Sequence, residues 1–159
     1  MQGFISYAHA DFDQCQRLIK LLTPAARGWG VEFWWDPKLH TGQAWNAAIA
    51  DAIDAAEVFV ALVSAESLWS TYIIDTELPA MRARAKAVNG LILPVLLNRC
   101  LWQSEFATPQ LAPTIKGTLK PILDWNPHHH GYHAAAEQAT EAMQRYYNLK
   151  PARSRATVP

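Results

Sequence analysis

The stretch Val58-Phe59-Val60-Ala61-Leu62-Val63 decides the fold. Its six consecutive apolar residues have the length and composition of a strand buried on both faces, as strands are in a parallel sheet covered by helices. A second apolar pattern follows, in which Ile74, Leu78 and Met81 recur at helical spacing and predict a helix that packs on this sheet. The residues between the two patterns therefore lie at the carboxyl end of a strand, where open α/β sheets bind their ligands.

Strands and helices alternate along the rest of the chain. The predicted strands cover residues 4–7, 31–35, 58–63, 91–97 and 119–123, and the predicted helices cover residues 11–24, 45–56, 71–87 and 136–147. Asp11 can cap the first helix, which is expected to end near Pro24. Pro94 places the fourth strand near an edge of the sheet, because proline lacks the ladder donor. The pattern predicts an α/β fold, a flavodoxin-like five-stranded parallel sheet in the order 2-1-3-4-5 with helices on both faces.

This strand order places the loops after the first and third strands in one crevice. The first loop carries polar and aromatic side chains at residues 6–9, and the second begins at Ser64. A polar loop at residues 36–43, which contains Gly42, overhangs both. One carboxylate, Glu77, lies on the helix beside the apolar positions, so the crevice is the candidate functional site.

Length and composition narrow the class of protein. The chain has 159 residues, half of them hydrophobic, which fits one domain at residues 1–149 followed by a polar tail or linker at residues 150–159. Fourteen basic and fourteen acidic residues balance, so we expect no direct nucleic-acid partner. The apolar runs are too short to span a membrane and the N-terminus lacks signal-peptide features, so we expect a cytoplasmic protein without a membrane partner.

Several segments, taken in order, resemble the signature boxes of the Toll/interleukin receptor (TIR) domain of bacterial type. Residues 4–11, Phe4-Ile5-Ser6-Tyr7 with His9 and Asp11, are similar to its first box. Residues 36–45 resemble the second box, and residues 64–78 resemble the third helix with its glutamate. Residues 93–102 and 120–125 are similar to bacterial members and to their last strand. The resemblance covers residues 3–148.

The resemblance implies an enzyme that uses NAD+ as a substrate and needs no cofactor. Some TIR domains cleave the nicotinamide–ribose bond of NAD+ with the glutamate that aligns with Glu77, and others are adaptors that only assemble. Many catalytic members carry tryptophan four residues before the glutamate, whereas this chain has Ile73 there and Tyr72 one residue earlier. The expected function is therefore an NAD+ glycohydrolase or cyclase of bacterial antiphage signalling. We expect activation by self-association through the 36–45 loop and helix faces, with an attached or separate sensor domain.

One carboxylate is chemically sufficient for this reaction. Glycoside cleavage ordinarily needs a second carboxyl group to protonate the leaving group. The nicotinamide of NAD+ is already a pyridinium cation and departs neutral, so Glu77 need only hold the ribose and stabilise its developing positive charge. The remaining expected contacts are aromatic groups that stack on the bases and polar groups that bond the ribose or phosphates. They are Tyr7, Trp45 and Tyr72 in the first class, Ser6, His9 and Ser64 in the second, and Gly42 in the overhanging loop.

The alternative function is a non-catalytic TIR interaction module that assembles through its loop and helix faces. A metal site is not expected, because His128, His129 and His130 follow Pro127 in a predicted loop without acidic or cysteine partners at ligand spacing. No glycine-rich phosphate-binding pattern of the classical nucleotide folds occurs in the sequence.

Overall fold

A computed structural model of the protein describes residues 1–35, 43–107 and 110–149. Its strands are β1 (Gln2–Ser6), β2 (Glu32–Trp34), β3 (Ala56–Val63), β4 (Leu91–Leu96), β5 (Thr114–Ile115) and β6 (Thr118–Leu119). Its α-helices are α1 (Phe12–Arg27), α2 (Gln43–Ala55), α3 (Ala65–Trp69), α4 (Leu78–Val88) and α5 (His128–Leu149). The expected tail at residues 150–159 lies outside the described residues.

Four parallel strands form the central sheet in the order β2-β1-β3-β4. The first four positions of the predicted order, 2-1-3-4, are thus confirmed. β3 is central and pairs with β1 on one side and β4 on the other. Its side chains alternate between two cores: Val58, Val60 and Leu62 pack with α1 and α5, whereas Phe59 and Ala61 pack with α2 and α4. The sheet is therefore covered on both faces, as the apolar run predicts.

The prediction of a fifth parallel strand at residues 119–123 is wrong. Leu119 belongs to the two-residue strand β6, which pairs antiparallel with β5, and Ile122–Asp124 form a 3₁₀ helix. Pro121 stands between them; its missing N–H removes one ladder donor, and the chain turns into the 3₁₀ helix directly after it. On the outer side of β4, where the fifth strand of the sheet was predicted, the described residues form one isolated parallel bridge, between Val95 and Ala112.

Pro94 lies where its missing N–H does not interrupt the pairing of β4 with β3. Its carbonyl accepts from the Ala112 N–H at 3.1 Å, on the side of β4 that faces away from β3. Because the N–H and C=O of one strand residue point the same way, the donor that proline lacks would also have pointed to this outer side. The ladder between β3 and β4 is therefore intact.

Two helices extend beyond their predicted bounds by more than two residues. α1 continues through Pro24 to Arg27, and the Thr23 hydroxyl donates to the Ile19 carbonyl in this last part. α5 begins at His128, so the histidine cluster forms the first turn of a helix and not a loop. Within the part of the chain that the structure describes, no helix is long and apolar enough to cross a membrane.

Candidate active site

The helix that carries Glu77 contains one irregular turn. Residues 71–72 are helical, Ile73–Glu77 form a π helix, hereafter the π turn, and α4 follows. The Leu78 N–H donates to the Ile73 carbonyl five residues back, and the Ser70 hydroxyl accepts from the Ile73 N–H at 3.3 Å. π turns inside α-helices are rare and occur frequently at functional sites.

Glu77 is the last residue of the π turn and is buried, with 5% of its surface exposed. Burial raises its pKa from 4.5 to about 7, and a hydrogen bond from the Ser6 hydroxyl partly opposes this shift. Desolvation penalises the charged form of the carboxylate, whereas a donor stabilises that form. The side chain therefore changes its charge near neutral pH.

A cleft of about 200 Å³ opens above Glu77 at the carboxyl end of β1. Five of the predicted site residues line it, namely Tyr7, His9, Trp45, Tyr72 and Glu77. The rings of Trp45 and Tyr72 lie 4.8 Å apart, and burial together with the Glu77 carboxylate raises the pKa of Tyr72. The cleft thus combines an aromatic wall with one buried carboxylate, a combination that favours a flat cationic ligand.

Among the described residues, two predicted ones do not line this cleft. Ser6 lies beneath it at the end of β1, where it hydrogen-bonds Glu77. Ser64 is fully buried and, contrary to the prediction, does not reach the cleft: it caps α3 by accepting from the Ser67 N–H at 3.0 Å. Gly42 lies outside the described residues.

Asp11 differs from its predicted role. Its side chain makes no capping bond to α1. It is buried instead, and its carboxylate accepts a hydrogen bond from the Ser64 hydroxyl. Burial raises the pKa of Asp11, and the bond from Ser64 opposes that shift. The pair ties the start of α1 to the end of β3, the two strand-end regions that the predicted strand order brings together.

Sequence reasoning did not assign seven of the lining residues to the cleft, and three of these, Trp34, Ser70 and Ile73, shape its wall. Trp34 lines the cleft, and its ring stacks on that of Phe4 with 5.5 Å between the ring centroids. Ser70 and Ile73 complete the lining on the side of the π turn. The signal for Ser70 was its position one residue before the helix, where serine commonly accepts from backbone N–H groups.

The histidines at the start of α5 are exposed and lie on the helix that packs against α1. The rings of His129 and His130 contact each other edge to face at 4.4 Å. Among the described residues, no group of three or more His, Cys, Asp or Glu side chains is placed to hold a metal ion.

Comparison with known proteins agrees with the resemblance. The family described as TIR domain matches residues 4–139. The uncharacterized protein y4lF of Sinorhizobium fredii (strain NBRC 101917 / NGR234) is 29% identical over 157 residues, which cover 96% of this chain and 48% of that protein. The chain thus spans about half the length of this curated relative. A solved structure, the TIR domains of the activated Roq1 resistosome directly recognizing the pathogen effector XopQ, aligns with a TM-score of 0.48 and 16% identity over 99% of this chain and 89% of that one. The match of the family across most of the sequence shows that the chain belongs to the TIR domain family.

Proposed function

We propose that this TIR domain is an NAD+ glycohydrolase or cyclase that cleaves the bond between nicotinamide and ribose. The observation that carries the proposal is the position of Glu77: a buried carboxylate at the base of a cleft whose wall is formed by Trp45 and Tyr72. A positively charged pyridinium ring fits both features, because aromatic faces and a carboxylate each attract a cation.

The proposed reaction needs little from the protein beyond this geometry. The bond from the ribose C1′ to the pyridinium nitrogen breaks, and its electron pair leaves with neutral nicotinamide. The ionised Glu77 stabilises the positive charge that develops on the ribose, in a setting shielded from water where that charge acts strongly. Water then attacks C1′ and releases a proton, which gives ADP-ribose; attack by a nitrogen of the adenine ring gives a cyclic product.

The size of the cleft indicates how the substrate is held. Sites that enclose a whole ligand usually measure ~300–1,000 Å³, and this cleft measures about 200 Å³. We assign it to the nicotinamide riboside half of NAD+, with the adenosine half outside. A second copy of the domain, recruited through the 36–45 loop and helix faces, would then cover the adenosine half. Self-association accordingly activates the enzyme, and a sensor domain, attached or separate, triggers it in antiphage signalling.

The test is nicotinamide release from NAD+ at high protein concentration. The native protein is compared with Glu77→Gln, and Asp75→Asn serves as the matched control because Asp75 lies in the same turn but is exposed. We expect release by the native protein and by the Asp75→Asn variant, and a loss of at least about a hundredfold in Glu77→Gln. Equal release by the native protein and Glu77→Gln would end the catalytic assignment.

A non-catalytic interaction module is the second candidate, and one observation favours it. Trp69 at the end of α3 and Leu101 after β4 are 85% and 84% exposed. Exposed tryptophans of this kind are enriched among residues that dominate binding energy at protein interfaces. Light scattering on Trp69→Ser, with Leu149→Ser as a control at another exposed apolar residue, tests whether this surface supports assembly. Unchanged assembly in Trp69→Ser would count against it.

A further inference from the structure

The π turn separates two residues that both line the cleft. Tyr72 precedes the turn and Glu77 ends it, so the two are five positions apart in sequence. In a regular α-helix, residues five apart lie about 140° from each other around the axis, whereas residues four apart share a face. A regular helix with this sequence would therefore turn Tyr72 away from Glu77.

The side chains nevertheless occupy the same face. Both contact the cleft, and the Glu77 carboxylate acts electrostatically on the Tyr72 hydroxyl. Tyr72 also holds its ring against Trp45 at 4.8 Å, which completes the aromatic wall. The wider turn, closed by the bond from the Leu78 N–H to the Ile73 carbonyl, produces this alignment.

The pattern of buried residues along the helix also indicates one extra residue in the π turn. Helical spacing predicts Ile74 on the face that packs on the sheet together with Leu78, yet Ile73 is buried and Ile74 is half-buried. The buried apolar positions step by five from Ile73 to Leu78, and then by three to Met81 and by four to Ala85, while the buried Glu77 carboxylate lies at the cleft. The step of five occurs only across the π turn, and the buried apolar residues of α4, which follows the turn, have the spacing of a regular α-helix.

We propose that the π turn is a one-residue insertion in an otherwise regular α-helix, and that its role is to position Tyr72 beside Glu77. Removal of one exposed residue from the turn then restores an α-helix in which Tyr72 stands four residues before the glutamate and still faces the cleft. Asp75 is exposed, and among the described contacts its side chain makes no hydrogen bond or ion pair, so it is the residue to remove. The kinetic part of this inference rests on the proposed function, whereas its structural part does not.

The test compares two deletions of one exposed residue each. Deletion of Asp75 is expected to keep a cooperative thermal transition and to keep kcat/KM for NAD+ within about tenfold of the native value. A misplaced catalytic group would instead cost about a hundredfold or more. Deletion of Ala83, an exposed residue of α4, is the control: it turns the rest of this regular helix by about 100° relative to Met81, shifts the buried Ala85 toward the edge of the packed face, and is expected to lower the melting temperature clearly. A shortened chain without Asp75 that does not fold, or that folds and loses activity by a hundredfold, overturns the inference.

Point variants supply a readout that needs neither a deletion nor activity. Because the π turn leaves Ile73 buried and Ile74 half-buried, Ile73→Ala is expected to lower the melting temperature more than Ile74→Ala does. The reverse order overturns the inference, since it is what a regular helix would give. If the native protein releases no nicotinamide, the proposed function fails by itself. The deletion of Asp75 is then judged by whether stability keeps its dependence on pH between 5 and 8, which the buried Glu77 produces.

Discussion

Replacement of Glu77 by glutamine is expected to stabilise the protein at neutral and alkaline pH while it lowers the rate of catalysis by about a hundredfold or more. The carboxyl group has a pKa of about 7 in the folded protein against an ordinary value of 4.5. The folded state therefore holds a proton between these values that the unfolded state has lost, so stability from this group is complete below pH 4.5 and is lost as the pH rises through 7. The difference between the two pKa values, at about 1.4 kcal/mol for each pH unit, corresponds to a loss of about 3 kcal/mol in the free energy of unfolding.

Glutamine has nearly the shape of protonated glutamic acid and can still accept from the Ser6 hydroxyl, but it carries no charge to desolvate. We therefore expect Glu77→Gln to exceed the native free energy of unfolding by about 1 kcal/mol or less at pH 5 and by about 3 kcal/mol at pH 8. For a domain of this length each kcal/mol corresponds to roughly 2–4 °C in melting temperature.

Chemical denaturation of both proteins at pH 5 and pH 8 measures this difference. Asp75→Asn, a change at an exposed carboxylate in the same turn, is expected to stay within about 0.5 kcal/mol of the native protein at both pH values. The reasoning fails if Glu77→Gln is no more stable than the native protein at pH 8, or if its advantage does not depend on pH.

Three further predictions follow from the same contacts. If NAD+ is the substrate, kcat/KM rises with pH up to about 7 and then levels, because this ratio reports the pKa of Glu77 in the free enzyme. The midpoint of the kcat profile lies at lower pH, because the bound pyridinium cation favours ionised Glu77. Rate measurements from pH 5 to 9 check both profiles, and profiles that do not change with pH would contradict the prediction. Ser6→Ala removes a donor that stabilises the Glu77 carboxylate, so the midpoint of the kcat/KM profile is expected to move to higher pH, and an unchanged or lower midpoint would argue against the bond. Ser64→Ala leaves the buried Asp11 carboxylate without its hydroxyl donor and α3 without its cap, which is expected to cost about 1–3 kcal/mol in denaturation experiments; Ser70→Ala, a change in a half-buried serine, should cost less.

The part of the fold that sequence patterns predicted best is the part that local chemistry dictates. An uninterrupted apolar run predicts β3 because only a strand buried on both faces needs apolar residues at every position. The order of the strands then brings the ends of β1 and β3 together, and the cleft lies at the end of β1 beside the helix that follows β3. The prediction of a fifth strand was wrong because the apolar residues around Pro121 conceal a lost ladder donor and a 3₁₀ helix that begins directly after it.

The details of the candidate site depend on contacts that no local pattern contains. Asp11 and Ser64 are 53 residues apart, so an acid that reads as a helix cap becomes a buried partner only after folding. The π turn is hidden for a different reason: Ile74, Leu78 and Met81 match an α-helix so well that the pattern gives no sign of an extra residue. The one visible sign is the position of Tyr72, one residue earlier than the aromatic residue of many catalytic members of the family.

Nicotinamide release from NAD+ tests the central claim most directly. The native protein, concentrated enough to self-associate, is incubated with NAD+ beside Glu77→Gln, whose fold is verified by its thermal transition. We predict release by the native protein and a loss of about a hundredfold or more in the variant. Release at the same rate by both proteins would contradict the account, because it would show that the buried carboxylate at the base of the cleft plays no part in the reaction.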